Sequence, residues 1–167
     1  MRRKDREVAD LEGQLAILEQ CPVCRVAIND PASGVPYLVP LNFGMAAGPQ
    51  SLTLYFHCAR AGHKYEAVKA CPRASFCVVD SSEVVPEDYS TDYRSVIVFG
   101  RVRELTESAE KRRAIELLAQ KFAPDDSAEH RAAAIDGYWD SLCVLELRAE
   151  HLSGKESAAL AEKRRGE

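Results

Sequence analysis

No stretch of the 167 residues approaches the roughly 18 consecutive apolar positions that a membrane helix requires, so no membrane span is expected. The N-terminus, MRRKDREVADLEGQ, carries charge of both signs and lacks an apolar stretch, which argues against a signal peptide. The GxxxxGK[ST] pattern of a P-loop is missing. Cys21 and Cys24 form a CxxC, but no second CxxC and no HxxxH accompany it, so a structural zinc is not expected. There is no internal repeat and no low-complexity tract. The net charge of −4 provides no basic excess, so neither nucleic acid nor another polyanion is an expected partner. Six cysteines without a secretory signal read as reduced thiols, which places the chain in the cytoplasm.

What is present fits one ordinary globular domain spanning residues 1–167, with 46% hydrophobic and 29% charged residues. After a polar arm, Val8, Leu11, Leu15 and Leu18 fall at helical spacing and predict an amphipathic helix over 6–20. Strands are expected at 23–28, 37–43, 52–57, 74–79, 94–105 and 141–149. Pro40 lies inside the second of these and marks an edge, a bulge or a ligand-facing backbone. Gly100 interrupts the fifth and marks a bulge or a barrel corner. Residues 64–71 read as a short helix stopped by Pro72, and 80–92 as an acidic, turn-rich loop. A helix opens at Thr106 and carries the stripe Ile115, Leu117, Leu118, Phe122, and a shorter one covers 128–135. From Ser153 the tail is polar and weakly helical. Six neighbouring strands with few, peripheral helices predict a mainly β fold, a small antiparallel barrel.

The chemistry concentrates where the third strand ends. His57 and Cys58 are followed by Gly62, His63 and Lys64, directly before a helix. Backbone N–H groups and the positive end of a helix dipole attract an anion at such a turn, and Lys64 adds a full charge. The remaining candidates have plainer readings. Cys21 and Cys24 read as buried thiols, and Cys71, Cys77 and Cys143 as core; His130 and His151 read as surface residues. Tyr138 and Trp139 read as a plug at the barrel end or a seam. Arg94 either reaches an anion or is a solvated strand charge.

Four ordered motifs then acquire a common meaning. PYLVPLNFG, LTLYFHCARAGHK, a helix ending in ACPR before a strand, and RSVIVFGRV together resemble the FMN-binding split-barrel proteins related to pyridoxamine 5′-phosphate oxidase. Within that superfamily they are similar to the 5-nitroimidazole-resistance branch, which also shows the terminal pattern HLSGK found here. The resemblance covers roughly residues 2–155.

It implies a six-stranded antiparallel split β-barrel that forms a homodimer, with FMN in the groove between subunits. By position it implies that Val39, Pro40, Leu41 and Asn42 line the ribityl and ring region. Phe56, His57 and Cys58 fall at the phosphate-side strand end. Gly62, His63 and Lys64 stand where the oxidase has Ser-Arg-Lys, and Ser95 where it has a flavin-reaching Gln. Tyr37 stands in place of a phosphate-binding Arg. The oxidase's C-terminal substrate segment has no counterpart after Leu152, which argues against pyridoxamine phosphate as substrate. The implied activity is reduction of a small nitroaromatic molecule by an FMN-dependent oxidoreductase. His57 is the candidate catalytic group, because imidazole titrates near neutral pH; the alternative is that it only hydrogen-bonds the phosphate or a carbonyl. A second reading is a flavin- or haem-binding protein with a sensing or storage role, for which His57, His63 and Cys58 offer axial ligands.

Overall fold

The computed structural model describes residues 3–166. Its sheet runs in the order β3-β2-β6-β7-β8-β5-β4 with every neighbouring pair antiparallel, and β1 pairs with β8 off that path. The strands are β1 (Glu7–Val8), β2 (Val23–Ile28), β3 (Tyr37–Asn42), β4 (Gly44–Gly48), β5 (Ser51–Ala59), β6 (Arg73–Val85), β7 (Ser90–Glu104) and β8 (Leu142–Glu156). The helices are α1 (Leu11–Gln20), α2 (His63–Ala70), α3 (Ser108–Phe122), α4 (Ala128–Gly137) and α5 (Ala158–Arg165).

Phe43 alone separates β3 from β4, the two ends of the sheet path, so the sheet must curl until its ends lie close. Phe43 is fully buried, and its ring meets Phe76 edge-on at 5.0 Å between centroids; Phe76 in turn lies 6.2 Å from Phe56. These three rings fill the barrel together with the inward residues Val26, Leu54, Val78, Val96, Val98 and Leu147. Edge-to-face aromatic contacts add to the area they bury. A second, smaller core lies outside the barrel wall. There α3 and α4 place Ala114, Ile115, Leu118 and Ile135 against Val144 of β8. Residues 144 and 145 of β8 thus feed different cores, as alternation across a strand requires.

The mainly β, split-barrel architecture agrees with the sequence reading, but the strand count is eight rather than six among the described residues. The predicted helix over 6–20 begins too early. Lys4–Arg6 forms a single 3₁₀ turn, and Val8 reaches the core as a strand residue opposite Gly154. The helix starts after Asp10, whose carboxylate accepts a hydrogen bond from the Gly13 N–H at 2.6 Å. Val8 satisfied the apolar spacing by coincidence. Residues 44–48 fall outside the expected strands, yet they pair with β5 from Gly44 opposite Tyr55 to Gly48 opposite Ser51. The expected loop 80–92 is largely strand: β6 and β7 continue as a hairpin to a turn at Pro86–Asp88, where Tyr89 is left-handed at φ 48°. Its residues are mostly polar, so no apolar alternation announces it.

The tail also differs from expectation. Residues 153–156 complete β8, and Glu156 is buried against Arg164 of α5, with Nε to Oε1 at 2.6 Å. Ser157 caps α5 by accepting from the Leu160 N–H. Arg164 further donates to the Glu7 carbonyl at 3.1 Å, which ties the tail to the start of the chain. Met1, Arg2 and Glu167 lie outside the described residues. Among the described residues no helix is long and apolar enough to cross a membrane.

Candidate functional site

β5 delivers the site. It carries Leu52, Leu54 and Phe56 into the barrel and His57 to the opposite side, as strand alternation dictates. Beyond its end the chain turns at Gly62, which adopts φ 94°, a conformation that side chains rarely take, with open space where a Cβ would stand. Gly62 is the N-cap of α2 and offers no side chain to the first N–H groups of that helix. Those donors are therefore open to an anion. Lys64 is half-buried in the first turn and makes no ion pair among the described residues. Its charge is nonetheless felt at both His57 and Cys58.

His57 is exposed in the single chain. The atoms that crowd its ring, and then the charge of Lys64, push its imidazole below the ordinary 6.5. The ring is thus mainly neutral at pH 7. Protonation of His57 opposes folding only as the pH falls below 6.5, and its neutral form costs nothing above that value. In a proton NMR titration of the ligand-free chain, His57 should titrate below 6.5, and Lys64→Ala should move it upward. An imidazole at or above 6.5 would remove the Lys64–His57 proximity from the account.

A cleft of about 640 Å³ opens beside His57, between the end of β5 and the helices α3 and α4. Its walls are mainly apolar: Ile115, Leu118, Phe122, Ile135, Tyr138 and Leu142, with Asn42, His57 and Cys58 at the strand side. A volume of this size suits a heteroaromatic molecule of a few rings. The helical wall was missed by sequence reasoning, which took Ile115, Leu118 and Phe122 as a core stripe. The one available signal was Phe122, a large ring at the end of that stripe that stays 40% exposed.

Of the sequence-predicted residues, the fold brings together Asn42, His57, Cys58, Gly62 and Lys64. Val39 and Leu41 turn half-buried side chains to the core, while Pro40 and Asn42 face outward on the edge strand β3, where proline is tolerated. The Asn42 amide donates to the Pro22 carbonyl at 3.0 Å, which orients it. Phe56 turns its ring into the barrel, where it is 1% exposed. His63 is engaged elsewhere. Its Nε2 lies 3.2 Å from the Asp30 carboxylate, and its ring meets Tyr37 edge-on at 4.6 Å. Of the residues offered as haem ligands, His57 and Cys58 face opposite sides of β5 and His63 is engaged by Asp30.

Ser95 lies away from His57 within one chain. It pairs with Lys155, whereas His57 pairs with Val144 of the same strand. The two rungs are separated by on the order of 30 Å of strand, so one chain does not bring Ser95 to His57. Its hydroxyl instead lies 3.5 Å from the Lys155 carbonyl. Arg94 is likewise remote from the site and pairs with Asp80 at 2.5 Å. Trp139 is held by Lys111, whose ammonium donates to its carbonyl at 2.8 Å and lies over its ring, while Tyr138 reaches the cleft. Cys21 and Cys24 are buried, as expected; burial raises both thiols, Cys24 to about 12. Cys71 and Cys77 are only half-buried and stand outside the core, contrary to expectation: Cys71 caps α2, and Cys77 faces outward opposite Ile97. His130 and His151 are surface residues.

Comparison with known proteins follows the same outline. Residues 10–156 match the family described as Pyridoxamine 5′-phosphate oxidase. Among solved structures, a protein of Bacteroides thetaiotaomicron named for 5-nitroimidazole antibiotic resistance aligns at 24% identity with a TM-score of 0.74, over 90% of this chain and 86% of its own. The FAD and heme binding protein of Mycobacterium smegmatis aligns at 19% identity and 0.69, over 91% and 73%. An FAD-binding protein of Mesorhizobium loti aligns at 26% identity and 0.55, over 90% and 95%. No curated protein matches the sequence.

Proposed function

Because this chain belongs to the pyridoxamine 5′-phosphate oxidase family, we propose that it binds FMN as a homodimer and reduces small nitroaromatic compounds. The observation that carries this reading is the uncapped start of α2 beside an unpaired Lys64, with His57 and an apolar cleft adjoining. These residues fit the cofactor: the α2 N–H groups and Lys64 would hold its phosphate, and the cleft side of β5 its ring. Lys64 is the cation left unengaged at this turn among the described residues, which suits the one terminal phosphate of FMN, since His63 is held by Asp30 and Arg60 by Glu104 at 3.0 Å. The names of the relatives, a nitroimidazole-resistance protein and two flavin-binding proteins, point the same way.

When bound, the flavin supplies the two-electron transfer. The chain supplies place and proton. His57 holds a ring nitrogen beside the cleft, where its neutral form donates or accepts a hydrogen bond and its charged form is a stronger acid than ordinary imidazole. The apolar walls keep water from the substrate.

The dimer is supported by the outward face of β3-β2-β6-β7. Register places Leu38, Ala27, Ser75 and Phe99 in one row and Pro40, Arg25, Cys77 and Ile97 in the next. Leu38, Ile97 and Phe99 are exposed there, as is Val79. Large apolar side chains exposed together on one sheet face, here around Arg25, are a feature of interfaces. A second copy on this face would bring its Ser95 toward the site that one chain leaves without it.

The test is spectroscopic. The purified, FMN-loaded chain is reduced anaerobically and then mixed with a 5-nitroimidazole. Return of the oxidised flavin band with loss of the nitro absorbance is the expected result. A reduced flavin that persists in its presence would leave a binding protein without this activity.

A further inference from the structure

Cys58 of β5 and Cys143 of β8 stand directly opposite each other in the antiparallel ladder. Opposed residues of such a pair project to the same face, with Cα atoms roughly 4.5–5.5 Å apart, inside the range that a disulfide spans. Both thiols are free. Their environments differ. Cys143 is 1% exposed, whereas Cys58 is half-buried and borders the cleft.

We propose that Cys58 and Cys143 form a redox-active dithiol that reduces a hydroperoxide and closes to a cross-strand disulfide. Cys58 is the attacking group. The facing Cys143 side chain, and then the charge of Lys64, lower its thiol from the ordinary value. Cys143 is held protonated by the same contact and by burial. Glu104 is the acidic neighbour of the pair, and it is engaged by the Tyr65 hydroxyl at 2.8 Å and by Arg60 at 3.0 Å.

The Cys58 thiolate attacks one peroxide oxygen: the S–O bond forms, the O–O bond breaks, and the departing oxygen takes a proton to leave as an alcohol, or as water from hydrogen peroxide. Cys58 is then a sulfenic acid. The Cys143 sulfur attacks it, the S–S bond forms, the S–O bond breaks, and hydroxide leaves with the Cys143 proton as water. Two thiols have lost two electrons and the peroxide has gained them. An external dithiol reverses the bond.

The protein has six cysteines, so the test can identify the pair that reacts. The reduced full chain is exposed to hydrogen peroxide, quenched, alkylated and mapped by mass spectrometry. The expected result is loss of two thiols, a mass lower by about 2 Da, a peptide linking Cys58 to Cys143, and full recovery with dithiothreitol. In Cys143→Ala, Cys58 should stop as a dimedone-trappable sulfenic acid, and Cys58→Ser should slow thiol loss at least ~10-fold. Because Cys143 is buried and its variants risk misfolding, the wild-type map decides by itself. If other cysteines react first, if Cys58 proceeds to the sulfinic acid while Cys143 stays free, or if peroxide leaves the pair unlinked, the proposal is overturned.

Discussion

Replacing Lys64 by alanine is expected to weaken FMN binding by roughly 10- to 100-fold, the worth of one charge-assisted hydrogen bond to phosphate. Lys64 makes no ion pair among the described residues that its removal would strand, although His57 and Cys58 lose its nearby charge. Lys64→Arg should recover most of the affinity, since it restores the charge at the same helix start. Lys69→Ala provides the contrast. Lys69 sits on the same helix, five residues on, and faces Glu66 at a loose 3.9 Å with both groups exposed, so FMN binding should be unchanged. Flavin fluorescence quenching gives all four dissociation constants. Equal affinities for wild type and Lys64→Ala would move the phosphate away from α2.

The largest effect on stability belongs to Gly100. At that position β7 slips register against β8, and the two strands approach so closely that a Cβ would stand 2.0 Å from the Arg148 carbonyl oxygen and 2.9 Å from its carbon. Both are backbone atoms of the central strand pair and have nowhere to move without opening the ladder. Gly100→Ala should therefore cost about 3 kcal/mol or more, which for a chain of this size lowers Tm by about 10 °C. Gly137, at the end of α4, has no atom within 4 Å of its would-be Cβ, and Gly137→Ala should stay within about 1 kcal/mol of wild type. Thermal unfolding followed by circular dichroism separates the two. A Gly100→Ala chain as stable as its parent would mean that the strands are spaced more widely here than described.

Much of this fold was legible because apolar periodicity and interrupting residues report on local geometry. Six of the strands, the edge position of Pro40 and the bulge at Gly100 were readable in that way. What escaped detection had no apolar pattern to show. β4 is built from small residues, and the outer half of the β6-β7 hairpin pairs through backbone while its side chains face solvent. β1 is two residues long and was absorbed into a helix whose true cap, Asp10, stood in plain view.

The site divides along the same line. His57, Cys58, Gly62 and Lys64 adjoin in sequence and remain adjoined in space. The helical wall of the cleft and the Cys58–Cys143 pair arise from contacts between distant segments, which no local pattern encodes. Phe56 and His63 were assigned by position in a motif. The structure gives the first to the barrel interior and the second to Asp30.

A crystal structure of the chain grown with FMN bears most directly on the account. It should show the phosphate against the N–H groups at the start of α2, with Lys64 Nζ in hydrogen-bonding range and the ring beside His57 at an interface between two copies. A phosphate bound elsewhere, or an α2 start that remains bare while flavin is present, would contradict it.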